Sequence, residues 1–229
     1  MGLVSRTASE LETARGAIEA SGGRAYVLVA DTSKPEEVER AVAELVAHER
    51  RLDIVFANAG VNGVWAPIEE LTPEEWRRTL DINLNGTFYT LKFSAPHLKR
   101  QGGSIIVCAS VNGTRMFSNT GATAYASSKA GQVALARMLA VELGRHGVRV
   151  NVVCPGAIST DISDNTETRA LEHVGQPVVH PEGSIPLTGK QPGSPEQVAD
   201  LVHFLASERS SHINGTEVFV DGGQSLVEG

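Results

Sequence analysis

Apolar residues gather along the chain in short runs rich in β-branched side chains, at Ala25 to Ala30, Leu52 to Ala57, Ser104 to Ser110, Val148 to Cys154 and Thr216 to Val220. Each run reads as a buried strand. Between them the apolar positions recur at helical spacing. One helix is expected after Asp31, with Ser33 as its cap and Pro35 in its first turn. Thr72-Pro73-Glu74-Glu75 has the spacing of a capping box and opens a long second helix. Thr123 to about His146 is a third, ended by Gly147, and a fourth begins at Ser194-Pro195. Strands alternating with helices predict a parallel sheet covered on both faces and joined by right-handed crossovers, a doubly wound α/β domain.

In such sheets ligands bind beyond the carboxyl ends of the strands. Those ends read Asp31-Thr32, Asn58-Ala59-Gly60, Ser110-Val111-Asn112-Gly113 and Pro155-Gly156. The segment from about Ser159 to Gly193 is long, polar and interrupted by Pro177, Pro181, Pro186 and Pro192, which suits a mobile lid over such a site.

Composition narrows the partners. A chain of 229 residues with 41% hydrophobic and 21% charged residues is ordinary for one soluble domain. The formal net charge of -7 offers no broad positive field, so a nucleic-acid partner is not expected. No apolar run approaches the roughly 20 residues that cross a bilayer. The first residues show no basic region followed by an apolar core, and Arg6 stands where a myristoylation motif needs Ser or Thr, so a cytoplasmic location without a membrane partner is expected. Cys108 and Cys154 fall inside strand-like runs and read as buried thiols; no metal is expected.

The candidate chemistry centres on Tyr125-Ala126-Ser127-Ser128-Lys129, which sets a phenol and an ammonium one helical turn apart on one face. A neighbouring cation favours the phenolate, which an acid/base catalyst near neutral pH requires. Ser110, at a strand end 15 residues upstream, could hold a substrate oxygen against the phenol. Asn83, within Asp81-Ile82-Asn83-Leu84-Asn85-Gly86, is an amide on the inward face of the second helix and needs a partner or a water; Asn85 is its rival.

In this order the motifs resemble those of the short-chain dehydrogenase/reductase family, from Leu3 to about Ser225. Asn58-Ala59-Gly60 looks like the family's turn after its fourth strand, and Asn83, Ser110, Tyr125 and Lys129 match its catalytic tetrad. Pro155-Gly156-Ala157-Ile158-Ser159-Thr160 is similar to the loop around the nicotinamide, and Asp221-Gly222-Gly223 to the family's ending. The resemblance implies a Rossmann-like single domain and an oxidoreductase that interconverts a secondary alcohol and a ketone with NAD(P)(H). In that scheme Tyr125 exchanges the hydroxyl proton, Ser110 holds the oxygen, Lys129 lowers the tyrosine pKa and binds the nicotinamide ribose, and Asn83 anchors a water. Asp31 and Thr32 would lie against the adenine, Ile158 and Thr160 against the carboxamide and phosphates. Homotetramers or homodimers are implied too, joined through helices around residues 72–101 and 123–146.

The family opens with a strand, a Thr-Gly-x-x-x-Gly-x-Gly turn and a helix that hold the pyrophosphate. Leu3-Val4-Ser5-Arg6 looks instead like the end of the second strand, so this first strand-helix unit is expected to be missing. A shortened chain, a sheet closing with fewer strands and an element swapped from a neighbouring subunit each explain it. If the loop is lost, a cofactor-impaired binding or scaffold protein is the alternative function. At the retained strand end Arg6 suits a 2′-phosphate, which favours NADP(H) over NAD(H). The substrate is a small alcohol or carbonyl compound whose identity the pocket-forming segments, 61–70 and 159–193, do not reveal.

Overall fold

The computed structural model describes all residues except 161, 163–165, 176–179 and 229, together with the side chain of His173. The chain opens on β1 (Gly2–Ser5), α1 (Ala8–Ala20), β2 (Tyr26–Val29), α2 (Pro35–Glu49) and β3 (Ile54–Ala57). A short β4 (Gly63–Trp65) leads to α3 (Pro73–Leu80), one π-helical turn (Asp81–Asn85) and α4 (Gly86–Leu98). Then come β5 (Gly103–Cys108), α5 (Thr123–Gly144), β6 (Val148–Pro155), β7 (Thr166–Thr168), α6 (Pro195–Ala206) and β8 (Glu217–Val220). The doubly wound parallel arrangement expected from the sequence is present.

Helix ends follow local chemistry. Thr72 and Glu75 form a reciprocal capping box, the Thr72 backbone N–H donating to Glu75 Oε2 at 2.9 Å and the Glu75 N–H to Thr72 Oγ1 at 3.3 Å. Ser33 does not cap α2: its hydroxyl donates to Asp31 Oδ1 at 2.8 Å, so the cap position passes to Lys34. The Asx-type turn at Asp31 outcompetes the helix for that hydroxyl. The second long helix is broken by the π-turn, which no spacing of apolar residues announces.

The core explains the layering. On one face Ile105, Val107, Val150 and Val152 pack under α4 and α5 with Leu91, Leu98, Ala136 and Leu143. On the other, Ile106 and Val153 pack against Leu205 of α6. Leu45 of α2 touches both the main core and the Leu28 cluster of β2, so α2 spans the two parts of the sheet.

Among the described residues no strand pairing joins those two parts. β3, β5, β6 and β8 form one parallel sheet in the order β3-β5-β6-β8, and β1 pairs only with β2. The chain begins with a strand-helix unit, β1-α1, so the expectation that such a unit is missing is not confirmed; among the described residues β1 and β3 each keep one edge unpaired. The side chains on those edge strands are uncovered: Ile54 is 49% exposed, Phe56 40% and Val4 40%, whereas Ile106, register partner of Phe56, is fully buried beneath α6.

This difference sets a test. Ile106→Ala should cost about 2–4 kcal/mol in urea denaturation, as buried large-to-small changes do, whereas Phe56→Ser should cost under about 1 kcal/mol. Equal losses would mean that Phe56 is covered in solution.

Candidate active site

One stripe of α5 carries the polar residues. Tyr125, Ser128, Lys129 and Gln132 recur at the i, i+3, i+4, i+7 spacing of one helix face, and all are buried. They face the π-turn. Asn83 there is fully buried, its Nδ2 donating to the Val61 carbonyl at 2.9 Å and to Ser128 Oγ at 3.0 Å, while its Oδ1 accepts from the Val61 N–H at 2.8 Å. The backbone carbonyl of Asn83 accepts from Gln132 Nε2 at 2.7 Å and from Thr87 Oγ1 at 2.8 Å. Asn85, the rival amide, binds Asp81 Oδ1 at 2.7 Å instead.

Lys129 Nζ donates to the Cys108 carbonyl at 2.8 Å and lies 5.6 Å from the centre of the Tyr125 ring. Gly60 closes against this cluster: a Cβ there would stand 3.3 Å from Asn83 Oδ1 and 3.5 Å from Lys129 Nζ. Asn58 and Ala59, just before it, are exposed. Burial raises the Cys108 thiol above its ordinary value, with Lys129 opposing, and Cys154 is pushed up to about 12 by burial, so neither is a nucleophile at neutral pH.

Ser110 is buried two residues beyond β5. Its Oγ accepts from the Asn112 N–H at 3.1 Å and its carbonyl from Thr114 Oγ1 at 2.9 Å, which tightens the loop into a turn. That turn packs on α5 through Gly113, whose φ of +83° and contact with the Ala126 carbonyl leave no room for a side chain. No hydrogen bond joins Ser110 to Tyr125 among the described residues; the Cys108 and Gly113 contacts bring their two segments together.

The other expected cofactor residues divide into two groups. Pro155 ends β6, and Gly156 fits tightly under the C-terminal turn, a Cβ there standing 2.6 Å from Asp221 Cβ. Gln224 Oε1 accepts from the next N–H, of Ala157, at 2.8 Å. Ile158 bridges to Gly193, with Ser159 N–H donating to the Gly193 carbonyl and Gly193 N–H to that of Ala157, both at 2.9 Å. Thr160 is exposed. At the far end of the sheet Arg6 and Asp31 line a cleft of about 300 Å³ with Lys34, Arg77 and Arg78. Burial raises the Asp31 carboxyl, but hydrogen bonds from Ser33 and the nearby Arg6 and Lys34 outweigh it and hold the group below its ordinary value. Thr32 packs against Gly86, where a Cβ would meet its carbonyl oxygen at 3.0 Å.

The expected lid is anchored, contrary to a free loop. Its two ends are joined through Ile158 and Gly193, and β7 pairs in parallel with β4, Gly63 opposite Thr166 and Trp65 opposite Thr168. Asn62 Nδ2 also donates to Thr166 Oγ1 at 2.7 Å. Strand pairing of so short a polar segment leaves no apolar pattern to read; Pro177 lies outside the described residues. Ser128, Gln132 and Gln224 were not among the expected site residues. The first two carry a signal, being polar positions on an inward helix stripe; Gln224 has none.

The family model described as enoyl-(acyl carrier protein) reductase matches residues 3–225. An uncharacterised NAD-dependent oxidoreductase of Mycobacterium tuberculosis is 37% identical over 219 residues, 93% of this chain and 76% of that protein. Levodione reductase of Leifsonia aquatica is 35% identical over 230 residues, 99% of this chain and 85% of that one. The crystal structure of a 3-ketoacyl-ACP reductase from Sinorhizobium meliloti superposes with a TM-score of 0.95 at 52% identity, covering 98% of this chain and 89% of that one.

Two measurements test the geometry. Asn83→Leu strips partners from both backbone groups of Val61 and should lower stability by about 2–4 kcal/mol in urea. Arg169 and the Thr72 N–H hold the Glu75 carboxyl at about 2, below the usual 4.5. With a depressed folded value, that stabilisation is complete above 4.5 and lost as pH falls towards 2; the Glu75 carboxyl carbon should titrate near the lower value in NMR spectra. With the match spanning nearly all of the chain and the fold shared throughout, this protein is an oxidoreductase belonging to the short-chain dehydrogenase/reductase family.

Proposed function

We propose that this chain interconverts a secondary alcohol and a ketone with a nicotinamide cofactor, Tyr125 acting as the acid/base. The observation that carries the reading is the buried cluster of Asn83, Ser128, Tyr125 and Lys129, reached by the Ser110 turn. In reduction, Tyr125 gives its phenolic proton to the carbonyl oxygen, which Ser110 Oγ holds by donating its own O–H. The Ser110 oxygen already accepts from Asn112, which fixes its orientation. The Lys129 ammonium, 5.6 Å from the centre of the Tyr125 ring, gives the negative charge left on the oxygen an opposite neighbour, and Asn83 holds the Val61 loop in place beside it.

The residues present fit a nicotinamide at one end: the clamped Pro155-Gly156-Ala157-Ile158 turn borders the site, and a side chain at Gly60 would crowd Lys129. When bound, the cofactor supplies or accepts the hydride. At the other end Arg6, Lys34 and Arg78, in a cleft that Glu74 and Asp81 also line, support NADP(H) over NAD(H), with Arg6 nearest in sequence to the expected 2′-phosphate position. The name of the Mycobacterium tuberculosis relative makes NADH the competitor to test. Between the two ends, the unpaired edges of β1 and β3 support a place for one further parallel strand of the family sheet. Exposed Phe88 on α4 and Met138 and Val141 on α5 support subunit association through these helices, as a homodimer or homotetramer.

The experiment offers the chain NADPH or NADH with levodione and an acetoacetyl thioester, compounds suggested by the names of two relatives. Turnover with one of them, lost at least about a hundredfold in Tyr125→Phe with cofactor fluorescence titration unchanged, is the expected result. Arg6→Ala should weaken NADPH about tenfold and leave NADH unaffected. No binding of either cofactor at millimolar concentration would overturn the proposal.

A further inference from the structure

Between the two ends of the lid lies a strap, residues 166–175, whose fastening is not explained by hydride transfer. It crosses two segments that flank the site. β7 lies on β4, which follows the Val61 loop bound to Asn83. Leu171 sits against Gly121, four residues before Tyr125, and the Gly121 carbonyl accepts from the Ala66 N–H at 3.2 Å. The fastening comes from Arg169. Its backbone N–H extends the strand pairing to the Trp65 carbonyl at 2.9 Å. Its guanidinium takes Glu75 in both hands, Nη1 to Oε1 at 3.1 Å and Nη2 to Oε2 at 3.0 Å, and Nη2 also donates to the Glu70 carbonyl at 2.5 Å. The Glu70 carboxylate stands 3.6 Å from Nε.

A lone surface ion pair contributes little, but a fork-to-fork pair on a rigid receptor is geometrically selective. Glu75 is such a receptor because the capping box holds its carboxylate from the other side. β7, at three residues, is too short to stay paired by itself.

We propose that Arg169 is a positioning residue that docks this strap onto Glu75 and Glu70, making it a fixed wall on the substrate side of the site. The proposal rests on the oxidoreductase reading for the word substrate, but the docking itself does not.

Hydrogen exchange on the full chain separates the two. Arg169→Ala should speed exchange of amides in 63–66 and 166–171 at least tenfold while α5, β5 and β6 keep their protection. Arg169→Lys should recover only part of it, since an ammonium cannot grip both oxygens. Glu75→Gln should act in the same direction, and adding it to Arg169→Ala should free the strap no further. Unchanged exchange in Arg169→Ala, full recovery by Lys, or faster exchange spread equally over β5 and β6 would overturn the proposal. For whichever ketone of the panel is turned over, Arg169→Ala should raise KM at least fivefold and change kcat less than twofold; a fall in kcat alone would also overturn it. If no ketone is reduced and the strap is still freed by Arg169→Ala, the docking stands and the alcohol–ketone reading fails.

Discussion

The buried Asn83 carboxamide is the constraint from which the rest of the site hangs. An amide removed from water must place its donors and acceptor on partners. Here it does so on both backbone groups of Val61 and on Ser128, which fixes the loop after β3, the π-turn and α5 relative to one another. The π-turn is part of the same arrangement: it presents the Asn83 carbonyl to Gln132 and Thr87, and so gives a second set of bonds between the same two helices. Lys129 enters a site whose walls are already set, and its ammonium finds the Cys108 carbonyl.

Much of the fold could be read because strands here are apolar on both faces and helix starts carry their own chemistry. The Thr72 capping box lies where the residues placed it, and the third long helix ends at Gly144, three residues before Gly147 turns the chain at a φ of +71°. Reading failed where pairing is made by few or polar residues. β4 and β7 have three residues each and no periodicity, and the π-turn depends on a tertiary hydrogen bond from Gln132. Ser33 was misplaced because two backbone motifs compete for one hydroxyl, and only geometry chooses between them.

For the site, spacing was enough to bring Tyr125 and Lys129 onto one face, and a buried polar position was enough to single out Asn83 over Asn85 once the π-turn was seen. The cofactor residues were legible only through family resemblance. Gly156 shows why: it is required by Asp221 and Gln224, which come more than sixty residues later in the chain. Arg169 was invisible for the same reason, since its receptor is an acidic first turn that also serves a helix cap.

The unpaired edges of β1 and β3 bear on handling as much as on architecture. Backbone donors and acceptors in an open ladder, next to bare Ile54, Phe56 and Val4, invite pairing between molecules. Concentrated solutions should therefore tend towards β-rich precipitates, and charged substitutions at Ile54 would be the first remedy for turbidity.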